Sequence, residues 1–239
     1  MNNKIILLPL VSVFLLSAMV VASSAQPRIV GVNEGDWFKY GDITANWSSN
    51  DPSYTPAESL KAWNETEYLL MSVVEVLDTY IGYQSVWRFR NGTERIDGHC
   101  TYIDTGSGNT TMFFISAYLS TNDTIYTSGS YSNWRINETV VRTYPDGSRE
   151  TNHVNVTSEV YDGTDTKNIW WDRTTGALVE MSIEVREYSG EYLATESLFF
   201  TITDSDVWII PEFPSFLILP LFMIATLLAV IVYKRKQTG

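Results

Sequence analysis

Cysteine and histidine are almost missing from this chain of 239 residues, which has one cysteine, Cys100, and two histidines, His99 and His153. One thiol cannot close an internal disulfide, so a secreted fold of this length must rest on its apolar core. The same scarcity excludes a zinc site built from Cys and His, which takes three or four such ligands. Basic residues are few as well. Between Arg28 and Trp208 there are 12 Lys and Arg against 27 Asp and Glu, a net of −15. A surface of that sign repels phosphate backbones, which removes nucleic acid from the expected partners. No nucleophile elbow, Walker loop or dinucleotide fingerprint occurs, and no cofactor, metal ligand set or catalytic residue is expected.

What the chain does have is apolar sequence at both ends. Lys4 precedes an apolar stretch over residues 5–21, followed by Ala22, Ser23, Ser24 and Ala25. Charge, apolar run and small residues are the layout of a secretory signal cleaved after Ala25, with an uncleaved signal anchor as the alternative. At the other end, residues 213–233 form a run of 21 without a charge. As a helix such a run covers roughly 30 Å, the thickness of a bilayer core. Lys234, Arg235 and Lys236 follow at once and mark the cytoplasmic flank. Three regions are therefore expected: a signal peptide at 1–25, an exported β-rich ectodomain at 26–210, and a membrane-anchoring segment at 211–239. In that topology the ectodomain lies outside the cell membrane and the C-terminus in the cytoplasm.

Pro211, Glu212 and Phe213 stand directly before the apolar run, and Pro214 follows them. Two prolines hold this segment extended and stiff just outside the membrane. The order of motif, transmembrane span and basic tail resembles the PEF-CTERM sorting signal of archaeal surface proteins, over about the last thirty residues only. The resemblance implies an archaeal source and an archaeosortase partner, a transpeptidase-like membrane enzyme that cuts near the motif. An ordinary retained anchor with a rigid spacer is the alternative.

Asn-x-Ser/Thr occurs at Asn46, Asn64, Asn91, Asn109, Asn122, Asn137 and Asn155, never with proline in the middle position. All seven lie in the exported region, so glycosylation is expected, with an oligosaccharyltransferase as the second processing partner. Used sequons must sit on exposed turns or outward strand positions. The absence of sequons after Thr157 suggests that the last part of the domain is covered.

Between the ends, apolar residues recur with a period of two. In "VEMSIEVREY", Val179, Met181, Ile183 and Val185 fall on one face and Glu180, Ser182, Glu184 and Arg186 on the other, as in a half-buried strand. Hairpin punctuation follows at Asn91-Gly92, Pro145-Asp146-Gly147, Asp162-Gly163, Thr175-Gly176 and Ser189-Gly190. The expected fold is all-β, an antiparallel meander forming a curved half-barrel or a sandwich, with one C-terminal transmembrane helix. Within the ectodomain, helix is expected near "TPAESLKAW" and, as a short piece, in "MFFISAYLSTND". The hairpin "NIWWDRTTGALVEMSIEV", a strand, a D-x-x-T-G-x-L turn and a strand, is similar to one in the bacterial periplasmic lipoprotein carriers. That similarity implies a curved antiparallel sheet cradling an apolar ligand and transfers no binding residue.

Three constellations suggest chemistry and then lose it. "YIDTGSG" resembles the Asp-Thr-Gly signature of aspartic proteases, but that chemistry needs two aspartates sharing a proton and the chain has one copy. His99 and Cys100 are neighbours, and on a strand neighbours point to opposite faces. Asp162 with Asp165, and Asp204 with Asp206, offer oxygen ligands for calcium without matching a calcium loop. The expected function is a non-catalytic glycosylated cell-surface protein, not an enzyme, binding a ligand or envelope partner. The rival classes are a structural component of the envelope or surface layer, and an extracellular hydrolase.

Overall fold

Alternating apolar and polar residues form nine strands in the computed structural model, which describes residues 27–207 apart from 111, 146 and 161. The strands are β1 (Trp37–Ser49), β2 (Thr66–Leu77), β3 (Tyr80–Phe89), β4 (Glu94–Tyr102), β5 (Glu138–Tyr144), β6 (Gly147–Val160), β7 (Gly163–Asp172), β8 (Leu178–Ser189) and β9 (Tyr192–Ser205). One helix, α1 (Glu58–Glu65), joins β1 to β2 among the described residues. All nine strands share one antiparallel sheet in the order β4-β3-β2-β1-β9-β8-β7-β6-β5. Two meanders thus meet where the first strand pairs with the last. Among the described residues a sandwich of two sheets is not formed.

The hairpin turns fall where glycine permits positive φ. Gly92, Gly147, Gly176 and Gly190 all have φ between 63° and 131°. One tight turn escapes that signal: β2 and β3 are joined through Asp78, whose φ is 54°, and Thr79. The helix expected in residues 112–123 is absent. That stretch belongs to a long excursion, residues 103–137, which leaves the sheet after β4 and crosses its core face before β5 begins. Its apolar residues Ile103, Phe114, Ile115, Leu119, Ile125 and Tyr126 are all buried. Their main-chain bonds go to distant segments, so no helical ladder forms.

The core is strongly aromatic. Phe38 and Tyr83 pack edge-on against Phe114 at 5.9 and 5.2 Å between ring centroids, and Tyr40 packs against Phe200 at 5.7 Å. The hydroxyls of Tyr40 and Tyr126 find partners, as such buried rings require. Tyr40 donates to the Leu178 carbonyl at 2.9 Å, and Tyr126 accepts from the Met112 amide at 3.1 Å and donates to the Phe114 carbonyl. Burial pushes the Tyr126 hydroxyl up to about 12, so it stays protonated at any working pH.

The β7–β8 turn fastens the excursion to the sheet. Ile115 donates to the Gly176 carbonyl, Tyr118 to that of Arg173, and Leu178 to that of Phe113. The Trp171 indole donates to the Met112 carbonyl at 2.6 Å. A Cβ at Gly176 would stand 2.1 Å from the Ile115 oxygen, and one at Gly31 would stand 2.3 Å from the Thr174 oxygen. Only glycine allows these backbones to approach so closely.

Asp172 organises this turn. Its Oδ1 accepts from the amides of Thr174 and Thr175 at 2.9 and 2.8 Å and from both their hydroxyls at 2.6 and 3.0 Å. Its Oδ2 faces Arg149 at 3.5 Å, with the two side chains 1% and 4% exposed. Arg149 also donates to the Ser205 hydroxyl at 3.0 Å, tying β6 to the end of β9. The ends of β5 and β9 touch although three strands separate them in the sheet, so this half is strongly curled. Removing one member of such a buried pair strands the other charge, at a cost of about 3–5 kcal/mol. Asp172→Ala is therefore expected to lower the unfolding free energy by that amount in denaturant titration, and Thr174→Ala by about 1 kcal/mol. Equal small losses in both variants would contradict the central position of Asp172.

Candidate functional site

The strand register sorts the domain into two poles. Phe38 pairs with Ser205, and the Trp37 amide donates to Asp206 Oδ1 at 2.7 Å, so both ends of the described chain leave from one pole. The β7–β8 turn and the core of the excursion lie there too. At the opposite pole, among the described residues, α1 lies over the core face.

Helix α1 is short, eight residues, and is held from outside itself. Trp63 stacks on Phe200 at 4.9 Å and 8°, and meets Trp87 edge-on at 4.5 Å. Its first turn lacks a side-chain cap of its own. Glu196 Oε1 on β9 substitutes, accepting from the Ala57 amide at 3.2 Å and the Tyr54 hydroxyl at 2.5 Å. The local signature Thr55-Pro56 thus marked the helix, but its tether comes from across the sheet.

Between α1 and the sheet opens a cleft of about 150 Å³, lined chiefly by Leu60 and Trp63 of the helix, Ile183 and Val185 of β8, and Glu196 and Leu198 of β9. The β8 and β9 residues of its floor belong to two cross-strand rows that run on past it. Ala45, Leu198, Ile183 and Lys167 form one row; Trp47, Glu196, Val185 and Asp165 form the next. The first is apolar up to Lys167, and the second alternates aromatic, carboxylate, apolar and carboxylate. Asp165 pairs with Lys167 through one oxygen, while its buried Oδ1 has no hydrogen-bond partner among the described residues. Trp47, in the second row, is 38% exposed. Such a site takes an apolar group and places polar groups where they orient it.

The seven sequon asparagines, Asn46, Asn64, Asn91, Asn109, Asn122, Asn137 and Asn155, are all exposed. Asn46 and Asn155 lie on strands, pointing away from the core; Asn64 lies near the end of α1; Asn91 lies in the β3–β4 turn; and Asn109, Asn122 and Asn137 belong to the excursion. None lines the cleft. The sequon-free part after Thr157 is covered only partly: Val179 and Phe200 are buried, while Tyr188 and Tyr192 at the β8–β9 tip are 51% and 47% exposed. The signal segment, Pro211, Glu212 and Phe213, the apolar run and Lys234, Arg235 and Lys236 lie outside the described residues. Among the described residues no helix is long and apolar enough to cross a membrane.

The other candidate residues separate as follows. His99 pairs with Tyr83 and Cys100 with Gly82, on opposite faces of β4. His99 Nε2 instead meets the Ser85 hydroxyl at 2.8 Å, a contact the sequence spacing gave no hint of. Ser85 is 2% exposed, closed to any substrate. His153 stacks on Trp170 at 4.3 Å, with Arg142 at 4.4 Å from the same ring and bonded to both oxygens of Glu180. Asp104 of the Asp-Thr-Gly stretch accepts the Thr105 amide in a turn closed by Gly106. Asp206 accepts the Trp37 amide. Among the described residues no three His, Cys, Asp or Glu side chains converge as metal ligands do. Compared with family models and with curated proteins, the chain matches none of either.

Burial lowers the His99 pKa, outweighing the nearby Asp97 carboxylate. Because the folded value is below the unfolded one, the unfolded chain takes up the proton first as pH falls. The contribution of the neutral imidazole is full above about pH 6.5 and declines below it. Thermal melts of wild type and His99→Gln are expected to diverge between about pH 7 and pH 5, with the variant losing less stability on acidification. Parallel pH profiles would contradict this.

Proposed function

We propose that this is a non-catalytic, glycosylated cell-surface protein that binds the apolar part of a small ligand in the cleft beneath α1. The observation that carries this reading is the polarity of the domain. The filled pole holds both ends of the described residues, and the cleft opens at the other, roughly 20 Å further along β9 at about 3.3 Å per residue. With the 213–233 run as anchor, that orientation turns the cleft away from the membrane and toward the surroundings. The exposed sequons agree with an exported domain, and none of their asparagines obstructs the cleft. In this reading the chain is membrane-anchored with its C-terminus cytoplasmic, or is processed at Pro211, Glu212 and Phe213 by an archaeosortase.

Charge restricts the ligand. Glu196 is the ionisable residue among those lining the cleft, and the ectodomain as a whole is acidic, so an amine-headed chain fits better than a carboxylate of equal length. Hexylamine is expected to shift the fluorescence of Trp63 in a saturable way, and hexanoate at the same concentrations to leave it unchanged. Absence of a response to either, or a response to hexanoate alone, counts against the cleft as the site.

The anchor is tested separately. Intact mass of the mature protein is expected to lack residues 1–25. A mass ending near Phe213 identifies the sorted form, and one including residues to Gly239 identifies the retained anchor and ends the sorting reading.

A further inference from the structure

The seven sequons are alike in sequence and differ in what the fold does with the amide. Asn109 is the extreme case. β4 is an edge strand of the sheet, with one side of its backbone facing no other strand. Along that side the Asn109 side chain takes the place of a strand neighbour. Its Oδ1 accepts the Cys100 amide at 2.7 Å, and its Nδ2 donates to the Gly98 carbonyl at 3.1 Å. The main chain beside it is docked just as closely. Thr101 and Gly108 form an isolated bridge, and a Cβ at Gly108, whose φ is +135°, would stand 2.2 Å from the Cys100 oxygen. The clasp blunts an edge that otherwise templates pairing with another chain.

A sugar on Nδ2 turns the primary amide into a secondary one, which strongly prefers the trans arrangement. Trans places the sugar opposite Cβ and on the same side as Oδ1. In a clasp where Oδ1 and Nδ2 address neighbouring groups of one strand edge, the N–H in use is the one on that same side. The hydrogen that the sugar replaces is therefore the hydrogen that the clasp spends on Gly98. Rotation to the other amide isomer restores the bond only at the cost of the disfavoured cis form.

The remaining sequons are not bound in this way. Asn91 uses only its Oδ1, accepting the Thr93 amide at 2.9 Å and hydroxyl at 2.7 Å. Asn137 uses only its Oδ1, accepting the Asn155 amide at 2.6 Å. The side chains of Asn46, Asn64 and Asn122 make no hydrogen bond among the described residues, and Asn155 donates a single bond to Asn168.

Resting on the reading of the ectodomain as glycosylated, we infer that the fold reserves Asn109 as the β4 edge clasp, so that clasp and sugar exclude each other there. The sugars then sit on sequons with a free amide nitrogen, Asn91 in the β3–β4 turn among them.

Glycopeptide and intact-mass analysis of the full chain from its native source tests this, using Thr93→Ala and Thr111→Ala, each of which deletes one sequon and keeps its asparagine. Thr93→Ala is expected to lower the mass by one glycan and Thr111→Ala by the residue difference alone, with the Asn109 peptide of the wild type free of sugar. A glycan on Asn109 overturns the proposal and leaves the glycoprotein reading standing; a chain bare at every sequon overturns both. The clasp has its own test in protein produced without glycosylation. Asn109→Ala and Asn109→Asp both lose the donor to Gly98, and each is expected to lower the melting midpoint by about 3 °C or more. Melting of both at the wild-type midpoint overturns the clasp.

Discussion

The buried carboxylate of Asp172 is the contact on which the rest of the architecture depends. A charge that is 1% exposed persists only if nearly every lone pair is matched, and here four donors from Thr174 and Thr175 converge on one oxygen and Arg149 faces the other. The turn shaped in this way presents its backbone outward to residues 113–118. An apolar, aromatic segment with no ladder of its own thereby satisfies its amides and carbonyls while crossing the core face. Through Arg149 and Ser205 the same carboxylate also joins β6 to β9, closing the curl of that half of the sheet. One ionised group thus sets the turn, the docking of the excursion and the curvature.

From this comes the difference between the poles. Where the excursion docks, the core face is filled by large rings such as Phe114, Tyr126 and Trp171. Toward the other pole a helix of eight residues covers the face, and a helix that short has little stability of its own. Trp63 on Phe200 and the Glu196 tether supply what the helix lacks. A short helix held by side-chain contacts of this kind opens more easily than a pole held by a buried salt bridge and several interlocked backbones. The cleft is thus the one place in the described domain where access to the core face needs only local motion.

Sequence carried the β-character well, because period-two alternation and glycine at positive φ are local properties. The five turns marked by Gly92, Gly147, Gly163, Gly176 and Gly190 all separate strands as read. The turn at Asp78 was not marked, since a non-glycine residue in the left-handed region leaves no composition signal. The helix expected around Phe113 and Ile115 failed for a physical reason: apolar density and moderate propensity describe any buried segment, and what decided this one was bonding to residues 173–178, about sixty positions away. The same limit hid the Arg149–Asp172 pair, the Ser85–His99 contact and the Glu196 tether. Asn109 shows the limit from the other side, since its sequon pattern is plain in the sequence while the strand edge that engages it is not.

Hydrogen exchange of the native protein measures the contrast between the poles directly. Amides of residues 113–118 and 172–178 are expected to exchange only through global unfolding, while those of α1 exchange through a local opening of much lower free energy. Equal protection of α1 and the excursion, or fast exchange at Ile115 and Leu178, would contradict it.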